Sequence, residues 1–272
     1  MDSTTFLGLE ESMSPTETKG QWSMVIRPGL VTGGNFLWGG AGLAASVRAM
    51  ELLSGRQCVW ATSQYLSYAR THETMTIDVT LAVVGHQITQ ARSVARVGER
   101  EILTVNAALG DRDFPTEATF AAMPDVPRPE TLTARPHHYA IENTIHENLV
   151  ERFVRGRTLE QLDGSLSDGR TILWAKIPDV LTGVDTATLA ILGDFVPMGL
   201  GQALGMRAGG NSLDNTLRVL RLVPTEWVLL DIQMQGVRRG FGHGSVNMYA
   251  EDGTLLATAS QSCIARVWRD TK

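Results

Sequence analysis

The chain has 272 residues, 43% of them hydrophobic and 19% charged, with a formal net charge of -5. That is the balance of a folded globular protein, long enough for one large domain or two ordinary ones. The acidic charge and the scattered basic residues, with Arg238-Arg239 the closest pair, exclude a primary role on nucleic acid, which needs clustered Lys and Arg.

In chain order, residues 1–21 carry acids and threonines without an apolar core, so no signal peptide is expected. No run of eighteen apolar residues occurs, and no membrane span is expected. Residues 39–53 are rich in Ala, Gly and Leu and predict a helix that is apolar on nearly every side, hence one enclosed by other structure. Strand-like runs follow at 59–68, 74–84, 88–96 and 102–109, with the charged turn Gly98-Glu99-Arg100-Glu101 before the last. From Asp111 to His138 the prolines concentrate and periodicity is lost, which predicts a linker over the surface. Beyond it, a helix is predicted over 186–204 and strands over 213–222, 227–235, 240–249 and 255–267. Cys58 and Cys263 lie in no ligand pattern, which implies a reducing compartment, no zinc site and a cytoplasmic location.

The two halves repeat the same order. Asp78 pairs with Asp231 and Leu103 with Leu256 at a spacing of 153 residues, and Ser93-Val94 pairs with Ser245-Val246 at 152. An internal duplication follows. An apolar helix with four or five antiparallel strands wrapped around it is the hot-dog pattern, and two such units joined edge to edge remove a pair of exposed sheet edges. The expected fold class is therefore α+β, a double hot-dog. The expected division is an N-terminal unit over 1–110, a Pro-rich linker over 111–145, and a C-terminal unit over 146–272 that carries the chemistry.

Common sites are missing. There is no GxSxG elbow, no GxxxxGK[ST] loop and no GxGxxG in a strand-to-helix context. The pair His137-His138 lies in the linker and reads as solvated. No cofactor or metal is expected. What remains is polar residues in the second half that the first half lacks. Asp194 interrupts an apolar helix, Ser212 opens the strand after it, and Gln261 lies in the last strand. At the repeat spacing of 153 their counterparts are Ala41, Val59 and Ala108. A carboxylate in an enclosed helix is costly unless it is hydrogen-bonded or functional.

These residues sit in motifs that resemble the acyl-CoA thioesterase II family of double hot-dog thioesterases. Phe6-Leu7-Gly8-Leu9-Glu10 is similar to that family's opening segment, and Phe36-Leu37-Trp38-Gly39-Gly40 to its helix start. Leu192-Gly193-Asp194 resembles the helix motif carrying the family's catalytic aspartate. Ser212-Leu213-Asp214-Asn215-Thr216 resembles its [Ser/Thr]-x-Asp-His-Ser strand, with Asn215 in place of histidine and Thr216 in place of serine. Ser260-Gln261 resembles the strand with the catalytic glutamine. The resemblance covers nearly the whole chain, but the first-half strand at 61–69 lacks the family's His-Ser-Phe and Arg-Pro-Gly.

The resemblance implies hydrolysis of acyl-CoA to fatty acid and CoA, with Asp194, Ser212 and Gln261 holding a water and Asp194 as general base. Backbone N–H groups at a helix start near Gly193 are expected to meet the thioester oxygen. Thr216, which shares a strand face with 212 and 214, is expected as an additional or alternative hydroxyl. Trp38, Phe195, Met198 and Met206 are candidates for the acyl channel, and Arg238-Arg239 for the CoA phosphates. The resemblance also implies pairing of chains into homo-oligomers. Two alternatives stay open: a non-catalytic acyl-CoA or lipid-binding hot-dog protein, and an enoyl-thioester hydratase, which would want a helix-region histidine.

Overall fold

The computed structural model describes residues 12–135, 137, 141–176 and 184–268. The segment Phe6–Glu10, and His138 of the linker pair, lie outside the described residues. The first half holds β1 (Met13–Pro15), β2 (Gln21–Val25), α1 (Gly39–Ser54), β3 (Cys58–Tyr65), β4 (Thr74–Val84), β5 (Ile88–Val97) and β6 (Arg100–Gly110). The second holds β7 (Val150–Arg155), β8 (Arg170–Lys176), α2 (Thr186–Gly193), α3 (Val196–Leu204) and β9 (Ala208–Ser212). It continues through β10 (Asp214–Val219), β11 (Trp227–Arg238), β12 (Phe241–Ala250) and β13 (Leu255–Val267).

All these strands join one antiparallel sheet in the order β1-β2-β4-β5-β6-β3-β10-β13-β12-β11-β8-β7, with β9 added beside β13. From the β3·β10 seam outward, the two sides mirror each other. This is the expected double hot-dog: one antiparallel sheet wrapped on enclosed helices. At the seam Thr62 opposes Thr216, and their hydroxyl oxygens are 2.7 Å apart at a sequence separation of 154. Residues related by the duplication thus meet on its pseudo-twofold axis.

The sheet corrects the repeat spacing by one residue for β3 and β6. Asn106 opposes Thr62 as Ser260 opposes Thr216, again 154 apart. A slip of one residue moves a side chain to the opposite face of a sheet. The counterpart of Gln261 is therefore the buried Ala107, not Ala108. Leu109 opposes Cys58 as Cys263 opposes Ser212, so the counterpart of Ser212 is Cys58 rather than Val59, the bulged residue between Cys58 and Trp60.

α1 is built from Gly, Ala, Leu and Val with few charges, and ten of its residues from Gly40 to Met50 are buried in the main core. Gly55 ends it in the left-handed conformation. The predicted helix 186–204 is broken at Asp194-Phe195 into α2 and α3. Pro197, in the first turn of α3, has no N–H to continue the ladder, and the break runs on three-residue hydrogen bonds, Asp194 N–H to Ile191 O and Phe195 N–H to Leu192 O. By length and composition the stretch Thr186–Leu204 could cross a membrane, yet it is mostly buried inside the protein. It is a core helix pair.

Linker residues cross the outer face of the second half's sheet. Trp174 Nε1 donates to Pro127 O at 3.0 Å, Tyr249 Oη to Ala122 O at 3.2 Å, and Arg152 Nη1 to Pro129 O at 2.6 Å. Under this strap lies a second apolar cluster of Ile172, Trp174, Trp227, Leu229, Tyr249 and Leu255. Each large side chain so buried contributes about 1.5–3 kcal/mol.

Candidate active site

The helix break turns Asp194 toward the N-terminus of α1. Asp194 is 4% exposed, and its Oδ2 accepts the N–H of Gly40 at 2.7 Å. α1 has no side-chain cap of its own at Trp38, so a carboxylate from the other half fills that role at the positive end of the helix. The approach requires glycines. A Cβ on Gly39 would lie 2.9 Å from Asp194 Oδ2 and 2.9 Å from Tyr65 Cζ, and one on Gly40 would lie 2.6 Å from Ala190 O. The Trp38-Gly39-Gly40 helix start is thus a space left for Asp194 and for α2. Trp38 adds a bond across the same axis, donating from Nε1 to Ile191 O at 3.2 Å.

Ser212 reaches Asp194 through a bulge. β9 pairs Ser212 with Cys263, whereas β10 pairs Thr216 with Ser260, so Leu213 is one residue extra on its strand. The extra residue puts Ser212 and Asn215, rather than 212, 214 and 216, on the face toward the helices. Ser212 Oγ donates to Asp194 Oδ1 at 3.2 Å. Gln261, 3% exposed on β13, donates from Nε2 to the same Oδ1 and to Ser212 Oγ, the latter at 3.2 Å. The three candidate catalytic residues therefore converge. Burial raises the Asp194 carboxyl to about 6, against the opposing pull of the Gly40, Gln261 and Ser212 hydrogen bonds.

Two expectations are corrected. Thr216 points away from this cluster and bonds Thr62 at the seam, because the Leu213 bulge reverses its face. Gly193 ends α2 instead of starting a helix, so it stands at the negative end of a dipole. It serves packing, with a Cβ there meeting Ala259 Cβ at 3.2 Å. Of the channel candidates, Trp38 and Phe195 pack together with ring centroids 5.7 Å apart, while Met206 is 42% exposed. Arg238 and Arg239 lie exposed at the β11–β12 hairpin.

Sequence reasoning missed the first-half contributions, Gly40 and Tyr65, and the placement of Asn215 on the site face. The Gly39-Gly40 pair was the available signal. It also misplaced His137, whose ring lies 5.4 Å from that of His146 instead of in solvent. His137, His146 and Glu151 could offer donor atoms to a metal, all within 4.8 Å of one another. Glu151 is already engaged, by Arg135 Nη1 and by His146 Nδ1 at 2.7 Å. Burial opposes its charge, yet Arg135 and His146 hold it down at about 2.

Comparison with known proteins identifies the fold and the family. A provisionally assigned thioesterase from Novosphingobium aromaticivorans DSM 12444 is 27% identical, with a TM-score of 0.82 over 93% of this chain and 98% of its own. A hot-dog-fold protein of unknown function from Alicyclobacillus acidocaldarius is 19% identical, with a TM-score of 0.83 over 99% of this chain and 100% of its own. The acyl-CoA thioesterase II TesB2 of Mycobacterium marinum is 19% identical, with a TM-score of 0.74 over 96% and 99%. The latter two show the fold. No curated protein sequence matches the chain. The family model for the acyl-CoA thioesterase C-terminal domain matches residues 120–265, more than half of the chain. The chain belongs to that acyl-CoA thioesterase family and is a thioester hydrolase of double hot-dog architecture.

Proposed function

We propose that Asp194, Ser212 and Gln261 activate one water for attack on the thioester of an acyl-CoA, releasing fatty acid and CoA. The observation that carries this is a count of hydrogen-bonding capacity. A carboxylate offers about four acceptor sites, and Asp194 uses three, on Gly40, Ser212 and Gln261. Both Nε2 hydrogens of Gln261 and the hydroxyl hydrogen of Ser212 are spent within the cluster. The open positions are the fourth site of Asp194, the second lone pair of Ser212 Oγ, and Gln261 Oε1, a buried atom without a hydrogen-bond partner. Open acceptors on all three residues and no free donor suit a molecule with two protons to give. Asp194 takes one proton as general base while the water oxygen attacks, and a carboxyl near 6 is ionised at neutral pH.

The same reading extends to an enzyme of cytoplasmic fatty-acid metabolism, which the buried, unpaired Cys58 and Cys263 support. It includes an N-terminal unit over 1–110, a linker over 111–145, a C-terminal unit over 146–272, and association of chains into homo-oligomers, which light scattering tests. The central experiment is thiol release from a panel of acyl-CoAs across pH. The rate should rise with pH through about 6, as Asp194 ionises, and that limb should vanish in Asp194→Asn. Tight acyl-CoA binding without thiol release at any pH would overturn the catalytic reading in favour of a binding protein.

A further inference from the structure

If the three residues spend their donors on one another, the charge that develops on the thioester oxygen must be met elsewhere. Buried groups beside Asp194 can do so. Asn215 is 0% exposed, and neither atom of its carboxamide has a hydrogen-bond partner. The Tyr65 hydroxyl is also buried and makes no hydrogen bond of 3.5 Å or less, although the Ser63 and Asn215 side chains lie near it. A buried polar group left unpaired costs about 1–3 kcal/mol, and these groups gather with the equally unpartnered Gln261 Oε1 in one place.

Their placement ties them to the site. On β10, Asn215 neighbours Thr216, which opposes Ser260, so Asn215 stands across from Gln261 on the face toward the helices. On its other side it opposes Ser63 of β3. Tyr65, at the end of β3, packs its ring against the glycine start of α1 as Asp194 does. Its Cζ and Asp194 Oδ2 both come within 2.9 Å of one point, the place of a Gly39 Cβ. Burial and then the nearby Asp194 charge hold the phenol well above its ordinary range, against the pull of the neighbouring Ser63 and Asn215 side chains, so it keeps the proton it would donate. Asn215 adds up to two N–H donors.

We propose that Tyr65 Oη and Asn215 Nδ2 form the thioester-carbonyl site, donating to the substrate oxygen as it gains negative charge. This rests on the water-activating role of Asp194, Ser212 and Gln261. The step balances. The water oxygen forms a bond to the carbonyl carbon, one water proton passes to Asp194, and the carbonyl π pair moves to the oxygen held by Tyr65 and Asn215. On collapse, that pair re-forms the C=O bond, the C–S bond breaks, and the thiolate takes the proton from Asp194. Carboxylic acid and thiol leave. One donor comes from each half, so the first half, which has no counterpart of Asp194, still supplies a catalytic residue.

Two measurements test this. In steady-state hydrolysis, Tyr65→Phe keeps the ring and should lower kcat about 10²-fold with KM within a few-fold, the usual effect of losing one oxyanion donor. Asn215→Leu should lower kcat similarly while leaving Tm unchanged or raised, because an unpaired amide is exchanged for an apolar group of similar volume. Activity and stability then move independently, which a merely structural role would not produce. The second measurement uses a ketone analogue of acyl-CoA, with a methylene for the sulfur and carbon-13 at the carbonyl. Its infrared C=O stretch should fall on binding to the parent and to Asp194→Asn, and return toward the free value in Tyr65→Phe and Asn215→Leu. An unchanged stretch and kcat in both of those variants overturns the carbonyl site. Parent-level hydrolysis by Asp194→Asn would instead overturn the water-activating reading, and failure of the analogue to bind any form would overturn both.

Discussion

The two halves share one strand order and one helix position, yet they differ on both faces of the sheet. On the inner face, the second half presents Asp194, Ser212 and Gln261, where the first has Cys58 and Ala107 in place of the last two and turns the glycine start of α1 toward Asp194. On the outer face, β5 of the first half alternates, with Gln90 and Arg92 exposed, as expected of a sheet with one wet side. β11 and β12 of the second half bury Val228 to Leu230 and Met248 to Ala250 on both sides, because the strap covers them. The half that buries Asp194 is also the half with the added core. A raised carboxyl makes the fold less stable as pH rises from 3.8 through about 6, by about 3 kcal/mol at about 1.4 kcal/mol per pKa unit. The strap offsets a cost of that size.

The sharpest way to break the comparison is to remove the charge. Asp194→Asn should lower kcat about 10²- to 10⁴-fold, while Cys58→Ala, at the position equivalent to Ser212, should change it less than about twofold. The same Asp194→Asn variant should melt higher than the parent at pH 8, since its side chain carries no buried charge. A double variant with Gln261→Ala should lose far less than the product of the singles, because the residues act as one unit. Next, Glu151→Gln should destabilise the strap by about 3–5 kcal/mol, leaving Arg135 buried without its partner. The Glu151 carboxyl is depressed from 4.5 to about 2, so the stability it contributes is present above pH 4.5 and is lost as pH falls toward 2. Acid titration of unfolding should lose that limb in the variant. Gly40→Ala, whose Cβ meets the backbone of α2, should cost about 1–3 kcal/mol by overpacking and reduce kcat without an equal rise in KM. The smallest effect is expected of Tyr249→Phe, which removes one hydrogen bond to the strap and should cost about 1 kcal/mol, read from the shift in Tm.

Much of this was legible in the sequence, for identifiable reasons. α1, β4, β5 and β6 follow from apolar periodicity and charged turns. The choice of Asp194, Ser212 and Gln261 follows from polar residues standing where the duplicate has none. What the sequence hid is where one residue changes a face. The Leu213 bulge leaves no compositional mark, so Thr216 was assigned to the site face that Asn215 takes. The break between α2 and α3 was marked only by Pro197, inside a run otherwise fit for one helix. β8 escaped detection because it is covered on both sides, and its Thr171 to Ala175 are all buried, without alternation. β2 and β7 are short and gain their stability from neighbours distant in sequence. Gly40 was signalled only as half of a glycine pair, and Tyr65 was out of reach because Asp194, beside it, is more than a hundred residues away.

The Thr62–Thr216 seam has a consequence for dilution. A site built across two separate chains is complete only while they remain associated, and its activity per chain falls once concentration drops below their dissociation constant. Here the partner surface is tethered, so its effective concentration is fixed by the chain itself and does not change in the flask. Specific activity should therefore stay constant down to concentrations at which any higher assembly has come apart. A permanent, single partner also frees each copy from having to fit itself. That allows one copy to keep Ser212 and Gln261 and the other Cys58 and Ala107 at places that a symmetric pair would be obliged to make alike.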